Sequence, residues 1–110
     1  MIDWERITEL RDEVGAEDFE EVVELFLEEV DATIDPLRNT DSLTDAEAVT
    51  HFLKGSAMNL GFAHFSELCC AAEASAAAGR AGDIDFPALV AAYDASKTVF
   101  LAELQTRLAA

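Results

Sequence analysis

Basic residues are scarce in this chain: 7 lysines and arginines stand against 23 acidic residues among 110, a formal net charge of −16. With a pI near 4.1, the basic footprint that nucleic acid or an anionic membrane surface requires is missing. Proline and glycine are also few, 2 and 5, so long regular elements are expected. No apolar run approaches the ~18 residues needed to span a bilayer. The start, Met1-Ile2-Asp3-Trp4-Glu5, lacks the basic and apolar stretches of a secretion signal. Only two cysteines occur, the neighbours Cys69 and Cys70. Adjacent cysteines do not staple a fold, and no cysteine or histidine spacing suits zinc. No metal or cofactor of its own is expected, and a reducing cytoplasm is the expected location.

What the chain does have is apolar content, 51 %, enough for a core and too much for a disordered acidic tail. The length suits one domain over residues 1–110. Charge is uneven: of the 23 acids, 17 lie in residues 1–50. Solvated helix faces in the first half account for this, and their field repels free phosphates unless a local exception exists.

Hydrophobic spacing predicts five helices. The first starts at Asp3 as N-cap, carries Trp4, Ile7, Leu10 and Val14, and stops at Gly15. The second runs from about Glu17 to Arg38 on a stripe from Phe19 to Leu37, with Pro36 kinking or ending it. A polar turn follows at 39–43. Thr44 and Glu47 match a capping box opening the third, which closes at Leu60-Gly61, the glycine suiting a left-handed position. The fourth spans about Ala63 to Ala78, with Phe65, Leu68, Cys69, Ala72 and Ala76 on one face, closed by Gly79 and Gly82. The fifth takes Asp85 as N-cap and points Phe86, Leu89, Val90, Tyr93, Phe100, Leu101, Leu104 and Leu108 inward. No strand alternation appears. The expected fold is all-α: an antiparallel four-helix bundle with a short additional N-terminal helix.

The third helix holds the chemistry. At 100° per residue, Ala46, Val49, Leu53, Ser56, Ala57 and Leu60 share a stripe roughly 100° wide that faces the core. His51 lies about 160° from Leu53 and points outward, ringed by Glu47, Ala48, Lys54, Gly55 and Met58. A mid-helix glycine costs about 1 kcal/mol relative to alanine, and Gly55 is not on the packed side. A bare glycine one turn from an exposed histidine leaves room for another molecule to approach. His64, by contrast, opens the fourth helix without a neighbouring cation or glycine gap and reads as a surface histidine.

The segment His51-Phe52-Leu53-Lys54-Gly55-Ser56 through Leu60-Gly61 closely resembles the signature of histidine-containing phosphotransfer (HPt) domains, roughly H-x-L-K-G-S-x-x-x-L-G. The opening Ile2-Asp3-Trp4, the acidic second helix and the Leu68-Cys69 region also look like bacterial members. The resemblance implies that His51 takes a phosphoryl group from an aspartyl phosphate of a response-regulator receiver domain and passes it to another receiver aspartate. Imidazole suits this because one nitrogen of the neutral ring is a free nucleophile. Lys54 would screen the phosphoryl oxygens, Gly55 would admit the receiver's active site, and Ser56, pointing inward, would pack or bond the backbone. Magnesium, where required, would sit on the receiver. No ATP-binding module is present, so the chain cannot by itself be a histidine kinase; the resemblance implies a phosphohistidine carrier.

The turn between the third and fourth helices centres near Phe62, with His51 eleven residues before it and Glu73 eleven after. In an antiparallel hairpin these stand at similar heights, so Glu73 either orients the imidazole through its other nitrogen or is a solvated edge residue. Glutamine or glutamate at this position also fits the resemblance. The expected docking surface comprises Glu47, Ala48, Gly55, Met58 and, from the second helix, Leu27 beside Leu25, which look surplus to the core stripe. The expected partners are receiver domains and a hybrid histidine kinase, met by a monomer. A helical adaptor docking a receiver without carrying phosphate is the alternative. The Met1 start and the final helix suggest a free-standing protein over a segment of a larger kinase.

Overall fold

Asp3 begins the first helix as the sequence suggests: its carboxylate accepts from the backbone N–H of Arg6 at 3.2 Å, satisfying an amide that the helix leaves open. The computed structural model describes residues 2–39 and 45–108. Thr44 of the expected capping box and the turn at 40–43 lie outside the described residues, as does the side chain of Leu108. The described residues form α1 (Trp4–Val14), α2 (Ala16–Ile34), α3 (Ala46–Asn59), α4 (Ala63–Ala77) and α5 (Phe86–Leu108), with 3-10 turns at Asp35–Asn39 and Ala81–Asp83. Their one strand-like contact is an isolated bridge between Ile2 and Phe62. The all-α expectation holds.

Two boundaries carry physical information. α2 ends at Ile34, four residues before the expected Arg38, because Pro36 has no N–H to donate and its ring collides with the preceding turn. The chain continues as a tighter 3-10 turn that still buries Leu37. α3 ends in a full Schellman motif: Phe62 N–H reaches Ala57 O at 2.9 Å and Gly61 N–H reaches Met58 O at 3.3 Å. Gly61 has φ +70°, and a Cβ there would stand 2.6 Å from the Asp3 carbonyl. Glycine is thus required twice, for its dihedral and for the close approach of the N-terminal segment.

The reversal at Gly61 folds α4 back along α3, and this hairpin is the most closely packed helix pair in the molecule. α5 packs on α4, α2 on α3, and α1 on α2 and α3. Ile7, Leu10, Phe19, Val23, Val30, Ile34, Leu53, Leu60, Phe65, Leu89 and Phe100 belong to a core shared by all five helices. At the hairpin end Phe62 meets Phe100 edge-on at 5.4 Å, and Trp4 stacks on Phe100 at 6.0 Å, favourable offsets for aromatic rings. At the far end of α2 the ties are polar. Asp31 accepts from Tyr93 Oη and Lys97 Nζ at 2.6 and 2.8 Å, and Arg38 grips Asp94 with two nitrogens at 2.7 and 2.9 Å.

Two expectations about apolar residues fail. Leu27 is 7 % exposed and part of the core, so it offers nothing to a partner. It follows Val23 by four residues and precedes Val30 by three, which puts it within the buried stripe and not at its edge. Leu25 is exposed. Leu101, expected inward, is 51 % exposed, because the buried face of α5 passes through Tyr93, Ser96 and Phe100, and Leu101 falls 100° beyond Phe100.

Candidate functional site

α3 presents two faces, as its periodicity requires. Ala46, Thr50, Leu53, Ser56 and Ala57 are buried, and the Thr50 hydroxyl donates to Ala46 O at 2.7 Å, so its burial leaves no bond unmade. Thr50 was absent from the expected stripe; a polar side chain hides its burial from a count of apolar positions. On the other face His51, Gly55 and Met58 are exposed, with Lys54 partly covered and Glu47 and Ala48 exposed one turn earlier. The side chain of His51 is 72 % exposed. A Cβ placed on Gly55 would find nothing within 4 Å. Ser56, Leu60 and Gly61 are buried, serving the hairpin and not the open face.

Across the hairpin, α4 brings Glu73 to two of the candidate side chains of α3, His51 and Lys54. One carboxylate oxygen lies 2.5 Å from His51 Nδ1; the other accepts from Lys54 Nζ at 2.6 Å. Equidistance from the turn accounts for the first contact. The second was not foreseen, although Lys54, one turn beyond His51, only has to lean back along the helix to reach the same carboxylate. Lys54 is therefore already engaged in the resting protein and is not a free cation waiting on the surface.

The electrostatics follow from this bridge. The hydrogen bond from Lys54 holds the Glu73 carboxyl below the ordinary 4.5, outweighing the opposing effect of burial, with His51 adding to the lowering. The same bond raises Lys54 above its ordinary 10.5. Glu73 is thus ionised at neutral pH and acts only as an acceptor. Nδ1 of His51 must then carry a proton, which in the neutral ring leaves the lone pair on Nε2. Beside this cluster runs an open groove lined by Asp45, Ala46, Glu47, Ala48, His51, Glu73, Ala76 and Ala81. Sequence reasoning missed Ala76 and Ala81 as neighbours of the histidine, since small side chains carry no chemical signal. Both cysteines are free; Cys69 is buried, which pushes its thiol up to about 12, whereas Cys70 is exposed. Among the described residues no group of three or more histidine, cysteine, aspartate or glutamate side chains is placed to hold a metal ion.

Residues 21–110 match the family model described as Hpt domain. The chain belongs to the Hpt family. Hpt domains are the phosphotransfer domains of two-component phosphorelays, where they interact with receiver domains and kinases, and this chain has a part in such a relay as a phosphotransfer domain. Neither the curated proteins nor the solved structures gave a match. The matched stretch of this Hpt chain opens inside α2 and takes in α3, α4 and α5, so that α1 stands outside it. No helix among the described residues is long and apolar enough to cross a membrane.

Proposed function

We propose that His51 is the phosphoryl carrier: it accepts the group from the aspartyl phosphate of one receiver domain and gives it to the aspartate of another. The observation that carries this reading is the 2.5 Å contact between His51 Nδ1 and Glu73 on an otherwise exposed ring. With Nδ1 protonated and held, Nε2 is the nucleophile. Its lone pair attacks phosphorus as the P–O bond to the donor carboxylate breaks, giving phosphohistidine and a free aspartate. In the second half an acceptor aspartate oxygen attacks the same phosphorus, and the P–N bond breaks to return the imidazole. The transition state is loose, so catalysis is chiefly positioning and charge neutralisation.

Glu73 orients the ring and favours positive charge on it during attack. Lys54 turns from Glu73 toward the incoming phosphoryl oxygens, a short swing because both targets lie within one helical turn. Gly55 leaves the approach to Nε2 unobstructed. Glu47, Ala48 and Met58 surround the ring and form the receiver contact on α3. The receiver supplies the magnesium that aspartyl phosphate chemistry uses. The test is incubation with receiver domains phosphorylated by acetyl phosphate, following acid-labile label. Wild type and His64→Gln are expected to take label, and His51→Gln is not. Receiver binding without any label on wild type would instead identify a docking adaptor.

A further inference from the structure

α1 lies outside the matched stretch, yet it is fastened to the helix that bears His51. Arg6 donates to Asn59 Oδ1 at 3.3 Å, and the Asp3 N–H donates to Gly61 O at 2.6 Å. Where α1 meets the C-terminal end of α3 there is a cleft whose lining includes Asp3, Glu5, Arg6, Glu9, Ala57 and Met58. Met58 is 58 % exposed, an unusual position for a large apolar side chain. It follows His51 by seven residues, about 10.5 Å along the helix and only ~20° around it. A transient contact burying about 600 Å² per partner, drawn as a round patch, reaches about 14 Å from its centre. A receiver centred on His51 therefore covers Met58 and the mouth of this cleft.

The cleft also has a sign. Three of its charged lining residues are acidic and one is basic, and Arg6 already pairs with Glu9 and Glu13 at 3.3 and 3.2 Å. An entering group that suits an apolar floor and an acidic rim has a long apolar stem and a cationic head.

We propose that the cleft between α1 and α3 extends the receiver contact and selects among receiver domains, taking a lysine or arginine of the receiver with its stem on Met58 and its charge between Glu5 and Glu9 Oε1, the oxygen not bonded to Arg6. This rests on the phosphocarrier reading of His51. It gives α1 a role in choosing the partner, with the phosphoryl chemistry left to α3 and α4.

The test uses the full chain, the Glu5→Arg/Glu9→Arg variant and the milder Glu5→Gln/Glu9→Gln variant, with thermal melts of each. Transfer is timed from the fastest donor in a panel of receiver domains phosphorylated by acetyl phosphate, and divided by the labelling rate from phosphoramidate, which has no surface to read a cleft. The arginine variant is expected to lower this ratio about tenfold at low ionic strength, the glutamine variant less, with the difference shrinking as salt is raised. An unchanged ratio in both variants overturns the proposal. Absence of label on wild type from either donor would instead remove the phosphocarrier reading, and the proposal with it.

Discussion

Replacing Gly55 separates stability from transfer. The residue sits inside α3, and a Cβ there would touch nothing within 4 Å, so alanine adds helix propensity without a clash. The gain is about 1 kcal/mol. Unfolding entropy near 2.1 cal/mol/K per residue gives roughly 230 cal/mol/K for a chain of this length, so the melting midpoint is expected to rise by about 4 °C. Transfer responds in the opposite sense as the side chain grows. Reacting atoms must come within about 3–3.5 Å, and a displacement of 1 Å costs up to ~100-fold. Alanine therefore slows transfer little, whereas Gly55→Gln, one turn from the ring, is expected to slow it by one to two orders of magnitude while melting no lower than wild type. Melts followed by circular dichroism and single-turnover transfer from a phosphorylated receiver measure the two effects. A Gly55→Gln protein that transfers at the wild-type rate would refute the idea that the glycine is an approach gap; a destabilised Gly55→Ala would refute the open space above it.

Further substitutions divide the faces of the helices. Leu53→Asp buries an unpaired carboxylate in the core and is expected to unfold the domain, whereas Met58→Asp melts normally and weakens receiver affinity in titration; the reverse pattern would mean the faces of α3 are misassigned. Leu27→Ala is expected to cost about 2–5 kcal/mol in a denaturant titration, and a near-neutral result would return Leu27 to the surface. For Glu73, whose value in the folded protein lies below the ordinary 4.5, the stabilisation from pairing is complete above that ordinary value and is lost as pH falls through the lower folded one. Melts between pH 6 and 3 should therefore show a smaller acid-dependent loss in Glu73→Gln than in wild type, since the paired Asp31 and Asp94 contribute to both. Glutamine can still accept from Nδ1, so Glu73→Gln is expected to keep more transfer activity than Glu73→Ala, and equal losses in the two would argue against ring orientation.

The parts of the fold most legible in the sequence were those fixed by local rules. Asp3 and Asp85 cap their helices, the latter through Ala88 N–H at 3.0 Å, because a short acidic side chain has one good partner there. Gly61 announced its turn because glycine suits the positive φ that ends a helix, whereas its close contact with Asp3 was not legible. The height of Glu73 beside His51 was legible from the hairpin, since equal spacing from a tight reversal sets equal height, whereas its contact with the ring stayed one of two alternatives. Its second bond, to Lys54, required knowing how a long flexible side chain leans, which spacing does not contain. Leu27 and Leu101 were misplaced for a related reason. Where apolar residues are dense, as in Leu25-Phe26-Leu27 and Phe100-Leu101, the periodicity has no polar gaps to mark the edge of the stripe, and packing against neighbouring helices decides. The cleft beside Met58 was likewise invisible, because it forms only when α1 is laid against the end of α3.

The central claim is that Glu73 holds Nδ1 of His51 so that the phosphoryl group resides on Nε2. Phosphorus NMR of the protein labelled from a phosphorylated receiver, with nitrogen-15 in the imidazole, reads the site of attachment through the phosphorus–nitrogen coupling. The predicted result is one phosphohistidine signal, on Nε2 of His51, that disappears in His51→Gln. Phosphate on Nδ1, on His64, or in an acid-stable ester would contradict it.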